Sequence, residues 1–408
     1  MEELVAPHPE TLNLVTSWLE HNGVPLSSIS PTHGGGWLTV ADVPVSQANE
    51  LLGASYQFYY HAGRNDTILR TAVYALPAAL HVHVQTVVPT TAFTSTRLLQ
   101  QTPRRHSGEA AVPNAASGEP VEMLSGRQAG VIKPSVLLSL YNIDTYVPPA
   151  VANSRLGIVG FDDESPNLKD QSLFMRRFRR NARTEIVTFE PIFPTVRKGY
   201  ANKRTNMFAQ FAAAITYPIP ITFYRNTGKQ LSTLYHQKVH PGAGDAIEQW
   251  LKYTVDQPSN PHTIGLISEG SSETSLTWEY MQAVCDLFKG LGARGSTVLV
   301  PSGDLGVGSG MTETFRVNFP ASCTCGFYPP CELYTGTSRS PAGHNFAGPF
   351  VTSVGGTTGI PEVASSFSGG GFSWFFSVED YQKDEVNAFL LNLGDKYRNR
   401  YECVCSCA

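Results

Sequence analysis

The stretch Leu291-Gly292-Ala293-Arg294-Gly295-Ser296-Thr297-Val298-Leu299-Val300-Pro301-Ser302-Gly303-Asp304-Leu305-Gly306 decides the fold. It reads as the close of a helix, a glycine turn, a short apolar strand over 297–300 and an acidic loop flanked by glycines. Upstream, Tyr280, Val284, Leu287, Phe288 and Leu291 share one stripe of a long helix. A strand bare of polar side chains and entered from a helix belongs in a parallel sheet covered on both faces. Asp304 then stands just past the carboxyl end of a buried strand, where such sheets keep their chemistry. The glycines beside it let backbone come close to a ligand. A turn aspartate capping the next segment is the alternative reading.

The same alternation extends back to residue 131. A buried run over 156–161 ends in Asp162-Asp163, and a helix follows with Arg176, Arg177, Arg179 and Arg180 beside Leu173, Phe174 and Phe178. That spacing fits the solvated face of an amphipathic helix better than a binding patch. Segments over 186–189 and 208–216 follow, with strands predicted over 219–224 and 263–267 and a helix over 246–255. Residues 131–408 are thus one α/β domain. Residues 94–130 turn to Pro, Ser, Gly, Gln and Ala with a dibasic Arg104-Arg105, the composition of a linker open to processing.

Residues 1–93 read as a small α+β unit. Pro7-His8-Pro9-Glu10 opens a helix whose Leu12, Val15, Trp18 and Leu19 share a face, closed by Gly23 with Pro25 beyond. A strand over 37–40 precedes a helix with Val45, Ala48, Leu51 and Leu52 turned inward. Tyr56, Phe58 and Tyr60 alternate as a strand does, and 69–76 is a further β-prone run.

With 408 residues, 41% hydrophobic, 16% charged and a formal net charge of −4, the chain is globular and carries no basic excess for a nucleic acid. No apolar run approaches the roughly 18 residues of a membrane span, so no membrane partner is expected. The chain opens Met1-Glu2-Glu3 with no visible leader, while Asn65-Asp66-Thr67 is a glycosylation sequon suited to a secreted protein. Six of the seven cysteines fall in two late clusters, Cys323/Cys325/Cys331 and Cys403/Cys405/Cys407, whose spacing lacks the knuckles of a structural zinc site.

Ordered motifs carry a resemblance. The loop Pro301-Ser302-Gly303-Asp304-Leu305-Gly306, the turn Phe319-Pro320-Ala321-Ser322-Cys323, the strand Val351-Thr352-Ser353-Val354-Gly355-Gly356-Thr357 and the run Phe367-Ser368-Gly369-Gly370-Gly371-Phe372-Ser373 together resemble the fungal sedolisins, a family that includes tripeptidyl peptidases. Leu51-Leu52-Gly53-Ala54-Ser55-Tyr56 and Tyr74-Ala75-Leu76-Pro77 resemble their pro-domain. The resemblance implies a subtilisin-like α/β/α fold behind a pro-domain that contacts the peptidase domain. It also implies secretion and hydrolysis of peptide or protein substrates in acid by a serine nucleophile, a glutamate base, an aspartate that orients the base and a second aspartate in the oxyanion hole. In acid a histidine would be protonated, whereas a carboxylate still accepts the serine proton. Asp304 falls on the oxyanion position.

Departures from the pattern are equally specific. The glutamate and aspartate positions, four apart on one helix face, fall on Arg204 and Phe208, and residues 197–244 hold no Asp or Glu. Neither side chain is a base. The family's serine motif and its calcium segment lie beyond residue 408, so the expectation is an inactive chain with no cofactor. Ser338, within Gly336-Thr337-Ser338-Arg339-Ser340-Pro341, imitates that motif but precedes Gly355-Gly356-Thr357 and lies in 324–348, a segment that interrupts the family pattern. An incomplete reading of a longer gene and a true pseudoprotease both account for these features. A pro-domain-type inhibitor of an active paralogue is the alternative function. Cys285 and Cys323 are the candidates for a disulfide, with a buried free thiol equally open, and Val136 stands where the family carries a cysteine.

Overall fold

The computed structural model describes residues 7–31, 36–60, 67–91, 132–147, 154–161, 165–180, 182, 187–192, 203–226, 246–267, 271–273, 276–304, 306–307, 315, 317–323, 350–359, 361–373, 375–376, 378 and 380–393. The expected linker, Ser338 and the cysteines at 325, 331, 403, 405 and 407 lie outside them.

In the amino-terminal unit, α1 (Pro9–His21) is followed by β1 (Ile29–Pro31), β2 (Leu38–Val40), α2 (Val45–Leu52), β3 (Gln57–Tyr60) and β4 (Thr67–Arg70). β1 pairs antiparallel with β2 and β3 with β4. Val15, Leu19, Val24 and Leu80 form the core, with Trp18, Leu38 and Leu51 against it. Gly23 closes α1 at φ +80° and Gly53 closes α2 at φ +54°, a backbone that costs glycine least. Two expectations need correction. Val45 is exposed, and only Leu52 of α2 is fully buried. Phe58 and Tyr60 share a face as expected, and that face points to solvent. The second β run stops at Arg70, where the chain turns to bond elsewhere through Thr71 N–H to the Thr90 carbonyl at 3.2 Å.

The larger unit runs α3 (Pro134–Leu140), β5 (Leu156–Gly160), α4 (Leu168–Phe178), β6 (Val187–Pro191), α5 (Lys203–Thr216), β7 (Ile221–Arg225), α6 (Ala246–Asp256), β8 (Thr263–Leu266), β9 (Ser271–Ser272), α7 (Trp278–Ala293), β10 (Thr297–Pro301), β11 (Asn318–Phe319), β12 (Thr352–Val354), β13 (Thr357–Thr358), β14 (Val363–Ala364) and α8 (Lys383–Asn392). Six strands form one sheet in the order β12-β10-β8-β5-β7-β6, every pairing parallel. Alternating side chains divide the core. Ile158, Ile221 and Phe223 pack with Met175 of α4 and Ala213 and Ala214 of α5, whereas Val159, Tyr224, Ile264, Val298 and Val300 pack with Trp250 of α6 and Phe288 of α7. Helices therefore cover both faces, the α/β/α layering that the resemblance implies. On the arginine helix Arg176 and Arg177 are exposed, as expected of a solvated face, while Arg179 is half-buried just past its end.

The hand of the connections is less ordinary. The path through α4 runs along the sheet in one direction and the paths through α5, α6 and α7 in the other. Connections running in opposite directions with the same hand lie on opposite faces, yet α5 shares its face with α4. The connection through α5 therefore has the opposite hand from the other three, against the strong right-handed rule for such crossovers.

Candidate active site

The carboxyl ends of the parallel strands carry the site. Beyond β10 the chain turns through Gly303 (φ +112°) and Gly306 (φ +80°), with Asp304 half-buried between them. Ser302 N–H donates to the Val354 carbonyl at 2.9 Å, tying the loop to β12. The glycine run then closes over it. Gly369 N–H donates to the Gly303 carbonyl at 2.9 Å, Gly306 N–H donates to the Phe367 carbonyl at 2.8 Å, and Val307 bridges Gly370. A Cβ on Gly369 would collide with the Ser302 carbonyl oxygen and lie 2.5 Å from its carbon and 3.0 Å from Gly303 N. Two backbones meet here without side chains between them, which only glycine allows. Asn318 Nδ2 donates to the Ser302 carbonyl from the other side at 3.4 Å.

Behind the glycine run lies Glu273, a fully buried carboxylate that the sequence reading passed over. Ser373 Oγ donates to its Oε2 at 2.8 Å and itself accepts from the Phe375 and Phe376 N–H groups at 3.1 and 3.0 Å. Glu273 N–H reaches the Val317 carbonyl at 3.5 Å. Its signal was available, since it lies shortly past the carboxyl end of β8, but a glutamate in a serine-rich loop, with Glu269 four residues before it, carries no mark of burial.

Arg204 and Phe208 occupy the first two turns of α5. A helix between parallel strands runs antiparallel to them, so this start lies at the same carboxyl edge as Asp304. Thr205, Ala209 and Ala213, four residues apart, are fully buried against the sheet. Phe208 packs at the margin of that core and Arg204 is half-buried. Asn206 links α5 to α4, accepting from Asn167 N–H at 2.7 Å and donating to Asp170 Oδ2 at 2.9 Å. The edge is shared, but the two parts stand apart. α5 packs beneath β5 and β7, and β10 lies two strands from β5, about 10 Å across the sheet.

Cys285 of α7 and Cys323 form a disulfide, Cα to Cα 5.5 Å, which settles the alternative left open by the sequence. Among the described residues no group of three or more His, Cys, Asp or Glu is placed to hold a metal ion. No helix among them is long and apolar enough to cross a membrane.

Comparison with known proteins follows the same division. Residues 1–93 match the pro-kumamolisin activation domain. The chain is 28% identical over 420 residues to a probable tripeptidyl-peptidase SED2 of Trichophyton verrucosum, covering 98% of this chain and 64% of that protein. It is 29% identical over 412 residues to the tripeptidyl-peptidase SED2 of Arthroderma otae, covering 97% and 64%. Along nearly its whole length the chain is similar to these tripeptidyl-peptidases, and it spans 64% of their length. Among solved structures, a Pseudomonas sedolisin (serine-carboxyl proteinase) complexed with two molecules of pseudo-iodotyrostatin aligns at TM-score 0.42 and 18% identity over 62% of this chain and 67% of that one.

Proposed function

We propose that this chain is the pro-domain and leading part of the peptidase domain of a secreted, acid-acting serine carboxyl peptidase precursor of tripeptidyl-peptidase type, and that it does not itself hydrolyse peptide bonds. The observation that carries the second half is the identity of Arg204 and Phe208 on α5. A guanidinium stays protonated at any working pH and a phenyl ring exchanges no proton, so neither takes the proton from a serine hydroxyl. The reading holds whatever residues follow position 408. Asp304 keeps the oxyanion position, where a protonated carboxyl can donate to a developing negative oxygen. Stabilising an oxyanion without a base to form it gives no turnover. The test is the recombinant chain at about pH 4, where such carboxylates work, with tripeptidyl-amide reporters beside an active relative. No release above buffer is expected, and turnover by the purified chain would refute the reading.

A second reading is favoured by Trp37 and Val88, which belong to the amino-terminal unit in sequence and pack against the larger unit's core. In it the chain acts as a pro-domain-type inhibitor of an active paralogue. Slowing of that paralogue by the full chain supports it, and undisturbed hydrolysis in excess chain excludes it.

A further inference from the structure

The pro-domain reaches the peptidase domain through a side chain that its own core does not use. Trp37 is absent from the cluster around Val15, Leu19 and Leu80 and instead packs with the core that contains Trp250 and Leu251 of α6. Lys252 Nζ stands 3.8 Å from the centroid of the Trp37 ring. One turn back, Glu248 holds the same ammonium at 2.5 Å, its carboxylate only 2% exposed. The residues from Ala246 to Leu251 are all buried. Six consecutive helical positions cannot all face one sheet, so the outer side of α6 is covered as well.

The chemistry of this contact is selective. A tryptophan face is negative and attracts a cation within about 6 Å of its centroid. Glu248 pins the ammonium, which removes most of the freedom a lysine would otherwise lose on docking. A neutral side chain of equal length would keep the apolar stem against the ring and forfeit the attraction. An acidic one would face both the ring and the Glu248 carboxylate.

We propose that the Trp37–Lys252 contact is the element by which the pro-domain selects the domain that it caps, accepting an α6 that presents a cation at this turn and refusing one that presents a neutral or acidic side chain. This rests on the pro-domain assignment alone and is independent of whether the chain hydrolyses peptides.

Hydrogen exchange read by mass spectrometry on the full chain tests it, comparing peptides from α6 with peptides from α5 on the opposite face. Trp37→Ala and Lys252→Met each raise α6 exchange by roughly three- to tenfold, the range expected from losing one cation–π contact. The α5 peptides are unchanged, and the double variant exchanges no faster than the quicker single one. Lys252→Arg and Trp37→Phe, which keep a cation and a ring, stay near the wild type. If Lys252→Met and Lys252→Arg behave alike, or the double variant shows the product of the single effects, the charge is not being read and the proposal is wrong. If Trp37→Ala alters no α6 peptide, docking on this helix fails instead, and with it the pro-domain contact itself.

Discussion

Substituting Gly369 by Ala strikes the closest backbone approach in the candidate active site. The added methyl would collide with the Ser302 carbonyl oxygen and crowd the Ser302 carbon at 2.5 Å and Gly303 N at 3.0 Å. Every one of these atoms is main chain, so no rotamer change relieves the overlap, and one loop must withdraw from the other. Withdrawal breaks the Gly369–Gly303 and Gly306–Phe367 hydrogen bonds and the Val307–Gly370 bridge. At about 1 kcal/mol net for each, the loss comes to roughly 3 kcal/mol, or a fall of roughly 6–12 °C in the melting midpoint for a domain of this size. Gly370 is the control. A Cβ there meets Val307 Cγ2 at an ordinary 3.6 Å, and Gly370 lies outside the left-handed region, so Gly370→Ala is expected within about 0.5 kcal/mol of the wild type. Thermal unfolding followed by circular dichroism compares the two. A Gly369→Ala chain that melts with the wild type, or a Gly370→Ala chain that falls as far, would refute the close-approach reasoning.

The disulfide and the exposed carboxylate at the β13–β14 hairpin give two further expectations. Cys285–Cys323 closes a span of 38 residues, for which the chain-entropy relation gives about 4 kcal/mol. Cys285→Ala with Cys323→Ala should lower the urea-unfolding free energy by about that much, reductant should do the same to the wild type, and a loss below about 1 kcal/mol would contradict the entropic account. The Glu362 carboxylate accepts from Thr357 Oγ1 at 2.5 Å and from the Tyr141 hydroxyl at 2.8 Å, and these bonds, Thr357 first, hold its pKa below the ordinary glutamate value. A depressed carboxyl pKa contributes stability above the unfolded pKa and loses it as pH falls through the folded one. In a carboxyl NMR titration Thr357→Ala should raise the Glu362 midpoint more than Tyr141→Phe, and the reverse order would overturn the ranking of the two bonds.

What the sequence disclosed and what it withheld divide along physical lines. The apolar runs that became β5, β7, β8 and β10 are legible because strands buried on both faces need no polar side chain. The stripe of α7 is legible because 3.6-residue periodicity survives any tertiary arrangement. Strand alternation at Phe58 and Tyr60 fixes which residues share a face but not whether that face meets a core. Trp37 reads as the start of its own strand, and nothing local announces that its ring belongs against α6 of another unit. The hand of the α5 connection has no residue code at all. At the site, the glycines at 303, 306 and 369 are visible as a motif, yet their mutual contact is a long-range fact that joins loops some sixty residues apart.

On the proposed reading, the arrangement also accounts for how a catalytic pair can be lost without loss of the fold. The loop that carries Asp304 is held by backbone contacts to the glycine run and to β12, none of which involves α5. α5 is anchored through Thr205, Ala209 and Ala213 toward the sheet and through Asn206 toward α4, positions that interleave with Arg204 and Phe208 without using them. A half-buried carboxylate beside that core would pay for desolvation, whereas the Phe208 ring adds apolar contact at the same margin. Selection for the fold therefore places no demand on the acid–base pair, while selection for hydrolysis demands both members. The Trp37–Lys252 contact shares no residue with either part of the site. On the proposed reading, an inactive sedolisin of this architecture keeps the means to dock its pro-domain long after it has ceased to cut.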